Sequence, residues 1–228
     1  MFSCFTFLYC GGFMTFCTDT DLLYWEPRLF MEAAAASQVL IGGTGDLDGT
    51  EFTIESGSFT DAGVAAWQVI VLAGSIEGCF PIVSVDGATA LTISVLHEGL
   101  FPSSGEPAAA AVGSGSGLTY AVRTFWPQRR LVSEVLWRAA GIDPRAEDAP
   151  AITNGDALRR AAALGALQLI HSALAASAEE PEDLLKRAEK YERMFRQALR
   201  DARVELDVDG DGAGETVRKM NLVELRRE

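Results

Sequence analysis

Two rhythms of hydrophobic and polar positions divide the chain. From Val39 to Phe125 short β-rich runs are separated by Gly, Asp and Ser; from Pro127 onward apolar residues recur in steps of three and four. In the first stretch "GTEFTIESGSF" sets Phe52 and Ile54 between Glu51, Thr53 and Glu55, and "TALTISV" places Leu91, Ile93 and Val95 on one face. Asp86-Gly87 predicts a turn between two strands. Five or six short strands with no helix between them predict a small closed or half-closed barrel, of SH3-like or OB-like size, over residues 39–126. The runs "GGTGDLDG" (Gly42 to Gly49) and "GSGSG" (Gly113 to Gly117) read as turns, because they have neither the lysine of a phosphate loop nor GxGxxG spacing before a helix. Residues 101–117, rich in Pro, Gly, Ser and Ala, predict a long exposed loop.

Helical periodicity flanks this module. "DTDLLYWEPRLFMEAAAASQVL" predicts a helix from about Glu26 to Ser37, with Pro27 in the first turn where a missing N–H is tolerated. After the module, "PQRRLVSEVLWRAAGI" predicts a helix with Pro127 at its start and Leu131, Val135 and Leu136 as its apolar stripe. "ALRRAAALGALQLIHSALAASA" predicts a second helix. A third carries Leu184, Ala188, Tyr191, Phe195, Ala198 and Ala202 on one face. The tail reads as two strands around an acidic turn. The predicted fold class is therefore α+β: a helical bundle of about four helices carrying an inserted small β-barrel-like module and a C-terminal β-hairpin. Residues 19–38 supply the first bundle helix, 39–126 the barrel module, 127–203 the other helices, and 204–228 the hairpin and tail. The first helix is expected to pack with the later ones, since four helices enclose a core that three short ones barely can.

Composition adjusts this picture at two points. Residues 1–18 are apolar but have no basic n-region and no following cleavage site, and Gly11 and Gly12 break them well short of a membrane span. They are expected to be a non-native or disordered extension, with Met14 as the natural start. Acidic residues number 32 against 19 basic ones, a formal charge of −13. Such a surface repels phosphate backbones, so sequence-specific nucleic-acid binding is not expected. The four cysteines show neither a disulfide framework nor a metal spacing, and the chain reads as cytosolic.

Candidate chemistry is sparse. "LDVDGDGAGE" places Asp207, Asp209 and Asp211 at positions 1, 3 and 5 of a calcium-loop pattern, Gly212 at 6, the Ala213 carbonyl at 7 and Glu215 at 9. Position 12 is Arg218 where a closing glutamate would stand. The run is read first as an Asp/Gly-rich turn and second as a Ca²⁺ site of Asp207, Asp209, Asp211, Ala213 and Glu215. His171 has no second ligand at helical spacing, and His97 with Glu98 has no recognisable partner, so both read as structural. No catalytic residue and no other cofactor is expected. An assembly or binding protein fits better than an enzyme.

The phrases "LLYWEPRLFMEAAAASQVL", "GSFTDAGVAAWQVIVLAG", "IVSVDGATALTISVL", "ALGALQLIHSAL" and above all "LLKRAEKYERMFRQALRDARVELDVDGDGAGETVRKMNLVELRR" carry a resemblance. Over most of residues 19–227 the chain resembles small virion-assembly proteins of tailed bacteriophages and prophages, encoded between the capsid and tail genes. The resemblance implies a head–tail adaptor, or connector, with portal, neck and tail proteins as partners. It also implies a homo-oligomeric ring in the virion, assembled in the bacterial cytoplasm, and no membrane association. The other function kept open is a calcium-stabilised surface or secreted binding module that uses residues 207–215.

Overall fold

Thr18 begins the first described helix. The computed structural model describes residues 15–100, 107–146 and 150–220. Thr18 Oγ1 accepts from the Asp21 N–H (3.2 Å) while Asp21 Oδ2 accepts from the Thr18 N–H (2.7 Å), a reciprocal cap that satisfies two orphan donors. The helix, α1 (Asp19–Trp25), ends because Glu26 is extended ahead of Pro27, whose ring disfavours a helical predecessor. A four-residue α2 (Leu29–Glu32) and a 3₁₀ turn (Ala34–Ala36) follow. Of the single helix expected over Glu26–Ser37 only α2 and the 3₁₀ turn form, and α1 lies before Pro27. These pieces pack on strands of the barrel, which corrects the assignment of residues 19–38 to a helical bundle.

The barrel is closed, with strand order β1-β2-β5-β4-β3-β6 and antiparallel pairing throughout. Its strands are β1 (Gln38–Gly49), β2 (Glu51–Thr53), β3 (Val69–Ala73), β4 (Gly78–Val85), β5 (Ala90–Ile93) and β6 (Gly113–Thr124). β1 and β6 pair from Gln38↔Thr124 to Gly49↔Gly113, with irregularities between Val39 and Ile41 and between Gly45 and Leu47. Both glycine runs expected as turns lie in this pairing, and 113–117 is strand, not loop. The reason is steric. A Cβ on Gly45 would stand 2.5 Å from the Thr53 carbonyl oxygen and 2.6 Å from the Phe52 ring, so the glycine permits close approach inside the barrel. Asp86-Gly87 does form the connection from β4 to β5, where the Asp86 N–H donates to the Ala90 carbonyl (3.0 Å).

Alternate residues fill the barrel: Phe52, Phe59, Ile70, Leu72, Ile82, Leu91, Ile93, Leu118, Tyr120 and Val122 are buried. The Phe52, Phe59 and Tyr120 rings meet with centroids 5.1 to 6.5 Å apart. Where β6 ends, the buried Asp19 carboxylate accepts from the Thr124 hydroxyl (2.6 Å) and the Phe125 N–H (2.9 Å). Trp67 has φ +67°, an uncommon conformation for an aromatic residue that costs about 1–3 kcal/mol. Hydrogen bonds hold it there. Its N–H donates to the Ile82 carbonyl (2.7 Å), and its carbonyl accepts from both the Thr20 N–H and hydroxyl (3.0 Å each).

A second unit comprises residues 127–220 with 15–17. Its helices are α3 (Trp126–Ala139, entered from the barrel unit), α4 (Asp156–Ser177) and α5 (Glu182–Asp201). α4 and α5 pack along their lengths. Gly165 marks the closest approach, since a Cβ there would lie 2.7 Å from Val132 of α3 and 3.2 Å from Phe195 of α5. On α3 the buried positions are Val132, Ser133, Leu136 and Trp137, whereas Leu131 and Val135 are exposed. This corrects the expected stripe at Leu131 and Val135, while Leu136 is buried as expected. Residues 15–17, expected within an extension, are engaged in this unit: Phe16 packs against Trp137 (centroids 5.3 Å apart), and Arg129 donates to the Cys17 carbonyl (2.8 Å). The rest of that expectation, residues 1–14, lies outside the described residues.

A three-stranded antiparallel sheet, β7 (Ala151–Ile152), β8 (Arg203–Asp207) and β9 (Thr216–Lys219), completes the unit. The expected hairpin is β8–β9; β7 comes from the segment between α3 and α4. Asn154 fastens it, accepting from the Glu205 N–H (2.8 Å) and donating to the Arg203 carbonyl (3.1 Å). Residues 221–228 of the expected tail lie outside the described residues. Among the described residues there are five helices, a closed six-stranded barrel and a C-terminal hairpin sheet. Gly45→Ala is expected to cost about 1–3 kcal/mol through overpacking against a backbone carbonyl, measured as a lower urea midpoint with the same slope; an unchanged midpoint contradicts the close-approach account.

Candidate functional site: the acidic hairpin turn

The turn between β8 and β9 begins where Leu206 still pairs with Thr216 and the Glu215 N–H donates to the Leu206 carbonyl (3.0 Å). Asp207 is buried at the end of β8. Its Oδ1 accepts from the Gly210 N–H (2.6 Å) and its Oδ2 from the Gly212 N–H (2.9 Å). Gly210 and Gly212 have φ of +82° and +87°, so glycine at these two places lets the chain curl back over the carboxylate. Asp209 accepts from the Asp211 N–H (3.2 Å), Asp211 from the Ala213 N–H (2.8 Å), and Glu215 from the Val208 N–H (2.9 Å).

This internal wiring folds the loop around its own acids. One oxygen from each of Asp207, Asp209, Asp211 and Glu215 lies within 4.8 Å of the others. Hard oxygens gathered at that spacing suit a divalent cation of the calcium type. Ala213, the fifth residue of the expected set, is on the same loop with its N–H committed to Asp211. Arg218, at the place of a closing glutamate, is turned elsewhere and donates to the Ala140 carbonyl (3.0 Å). The geometry is compatible with either reading of the sequence. The loop is a hydrogen-bonded turn, and its carboxylates converge.

The other candidate residues sit in structural roles. His97 bridges a loop: its Nδ1 accepts from the Gly99 N–H (3.1 Å), which leaves Nε2 to donate to the Ala108 carbonyl (2.8 Å). His171 is buried in α4 and stacks on Tyr191 of α5, with centroids 5.6 Å apart and planes 10° from parallel. Cys79, on β4, has its thiol pushed up to about 11 by burial, with backbone hydrogen bonds at Met31 and Phe30 and the charges of Arg123 and Arg28 offsetting only part of this.

At pH 8 only on the order of 10⁻³ of a thiol with so high a pKa is thiolate, against roughly a quarter for an ordinary cysteine. Iodoacetamide labelling read by peptide mass should therefore modify half-buried Cys79 slowly in the folded chain and quickly in urea; equal rates in the two states would contradict its raised pKa.

Among the described residues no helix is long and apolar enough to cross a membrane. Comparison with known proteins finds no matching family model, no matching curated protein and no matching solved structure.

Proposed function

We propose that the chain is a structural, non-enzymatic virion-assembly protein of a tailed phage or prophage, a head–tail adaptor that docks to a portal or a neighbouring neck ring. The resemblance over residues 19–227 supports this reading. The observation that carries it is the edge of the C-terminal sheet. In the order β7-β8-β9 the outer strand β9 pairs on one side only among the described residues, and Val217 on it is 61% exposed. An open strand edge offers backbone donors and acceptors to an added strand of a partner. In this reading α3, α4 and α5 form the docking bundle, and the barrel is the module that precedes them in the chain. The partners are portal, neck and tail proteins, the working state is a ring in the virion, and assembly takes place in the bacterial cytoplasm. Sequence-specific nucleic-acid binding and membrane entry are not part of this reading.

Removing residues 204–228 would be a poor test, because Val204, Leu206 and Met220 are fully buried and their loss would disturb the helical unit. Val217→Asp leaves those side chains alone. Deleting the gene from its source genome should leave DNA-filled heads and free tails in electron micrographs. The wild-type copy should restore whole particles, while V217D should fold yet fail to be incorporated. Normal particles without the gene would sink the adaptor reading.

The convergence of four carboxylates favours a second reading, a calcium-stabilised surface or secreted binding module. Calcium at a hundred times its Kd should stabilise the folded chain by about 2.7 kcal/mol. Thermal melts should show this shift for the wild type and not for Asp209→Ala/Asp211→Ala. No shift in the wild type at millimolar calcium would remove this reading.

A further inference from the structure

Charge is divided very unevenly along this chain. Of the 32 acidic residues, 13 fall within residues 18–126, where only two of the 19 basic residues lie, Arg28 and Arg123. That stretch thus carries −11 of the formal −13. Both of its cations are engaged locally: Arg28 faces Glu32 (3.6 Å), and Arg123 donates to the Ala34 carbonyl and the Ser37 hydroxyl. On the outer wall of the barrel Asp46 and Asp48 of β1 are exposed beside Glu51 of β2. Asp48 and Glu51 are directly opposed in register. Like charges so placed destabilise a sheet, and no lysine or arginine of the same unit stands free to offset them.

The reverse arrangement occurs on α5. Lys186, Lys190, Arg193 and Arg200 are exposed at steps of four, three and seven residues, so they form one stripe along the helix. The helix dipole accounts for a cation in the last turn, such as Arg200, but not for Lys190 and Arg193 in the middle. Lys186 is paired with Glu182 and Asp183 (3.9 and 3.3 Å). Arg193 and Arg200 make no ion pair among the described residues, and Lys190 lies 5.9 Å from the centroid of the Tyr191 ring. Glu182 and Glu189 share the N-terminal half of this face, and from Lys190 to Arg200 it is cationic, on a strongly acidic protein.

We infer that the basic stripe of α5 docks on the acidic outer wall of the barrel, at Asp46, Asp48 and Glu51, of a second copy of this chain. Charge complementarity selects this occupant over nucleic acid. Salt screens long-range repulsion of either partner beyond roughly 8–10 Å, but a nucleic acid extends past the stripe onto the rest of a chain of charge −13, whereas a second copy brings a bounded acidic patch of its own. Within that distance the two opposite patches determine the contact. The two surfaces differ, so the contact is head-to-tail, the type that generates rings when its rotation closes. It would supply the contact of the proposed neck ring, and rests on that reading only for its biological setting.

Sedimentation velocity of the purified full chain over a concentration series tests it without any phage component. Concentration-dependent self-association is expected near physiological salt and lost near molar salt. The variant K190E/R193E/R200E and the variant D48K/E51K, both checked for folding by circular dichroism, should each associate at least about tenfold more weakly. Their equimolar mixture should recover association, because every contact then joins opposite charges again. A wild type that stays monomeric at all concentrations overturns the inference. So do single variants that associate like the wild type, a mixture that fails to recover, and a stripe that binds single- or double-stranded DNA in place of a second copy. Particle assembly is measured separately, so failure of the adaptor reading leaves this result standing and the converse also holds.

Discussion

The pairing of β1 with β6 is the constraint on which the barrel unit depends. It joins residues 38–49 to residues 113–124 over ten partner pairs and turns an open sheet into a closed one. Closure leaves no strand edge in the barrel, so its backbone groups are satisfied within it. The cost is steric, since strands that close around so small a core must approach one another tightly. Gly45 meets that requirement against Phe52 and Thr53, and the register irregularity beside it lets β1 bend. Where β6 leaves the barrel, the buried Asp19 carboxylate ties its last residues to the start of α1. The short N-terminal helices consequently belong to the barrel.

The helical unit meets its own close-approach problem with Gly165, which lets α4 sit against Val132 and Phe195 together. Its sheet solves the edge problem differently from the barrel. β7 covers only two residues on one side of β8, and the other outer strand, β9, carries Arg218 and Lys219. Charged side chains on an edge discourage indiscriminate pairing, which is compatible with an edge kept for one specific partner. The acidic turn that joins β8 to β9 is stabilised by its own backbone amides.

Local patterns were legible in the sequence. Asp207, Asp209, Asp211 and Glu215 converge because carboxylates at alternate positions around glycines are brought together by a single loop. α4 and α5, the Asp86-Gly87 connection, and the inward-facing Leu91 and Ile93 were equally predictable, since each depends on neighbours within a few positions. Tertiary contacts decided the rest. Gly42–Gly49 has the composition of a turn and becomes a strand because β6, seventy residues away, pairs with it. Leu131 and Val135 have the periodicity of a core stripe, but the neighbouring Val132 and Leu136 face the interior. Pro27 separates two helices instead of starting one. The sequence by itself determined which segments are helical, which are β-rich and where acids gather, because those properties are set by periodicity and turn chemistry. Only the tertiary structure decided which strands close the barrel, which face of α3 is buried and which helices serve the barrel, because those outcomes depend on space shared by residues far apart in the chain.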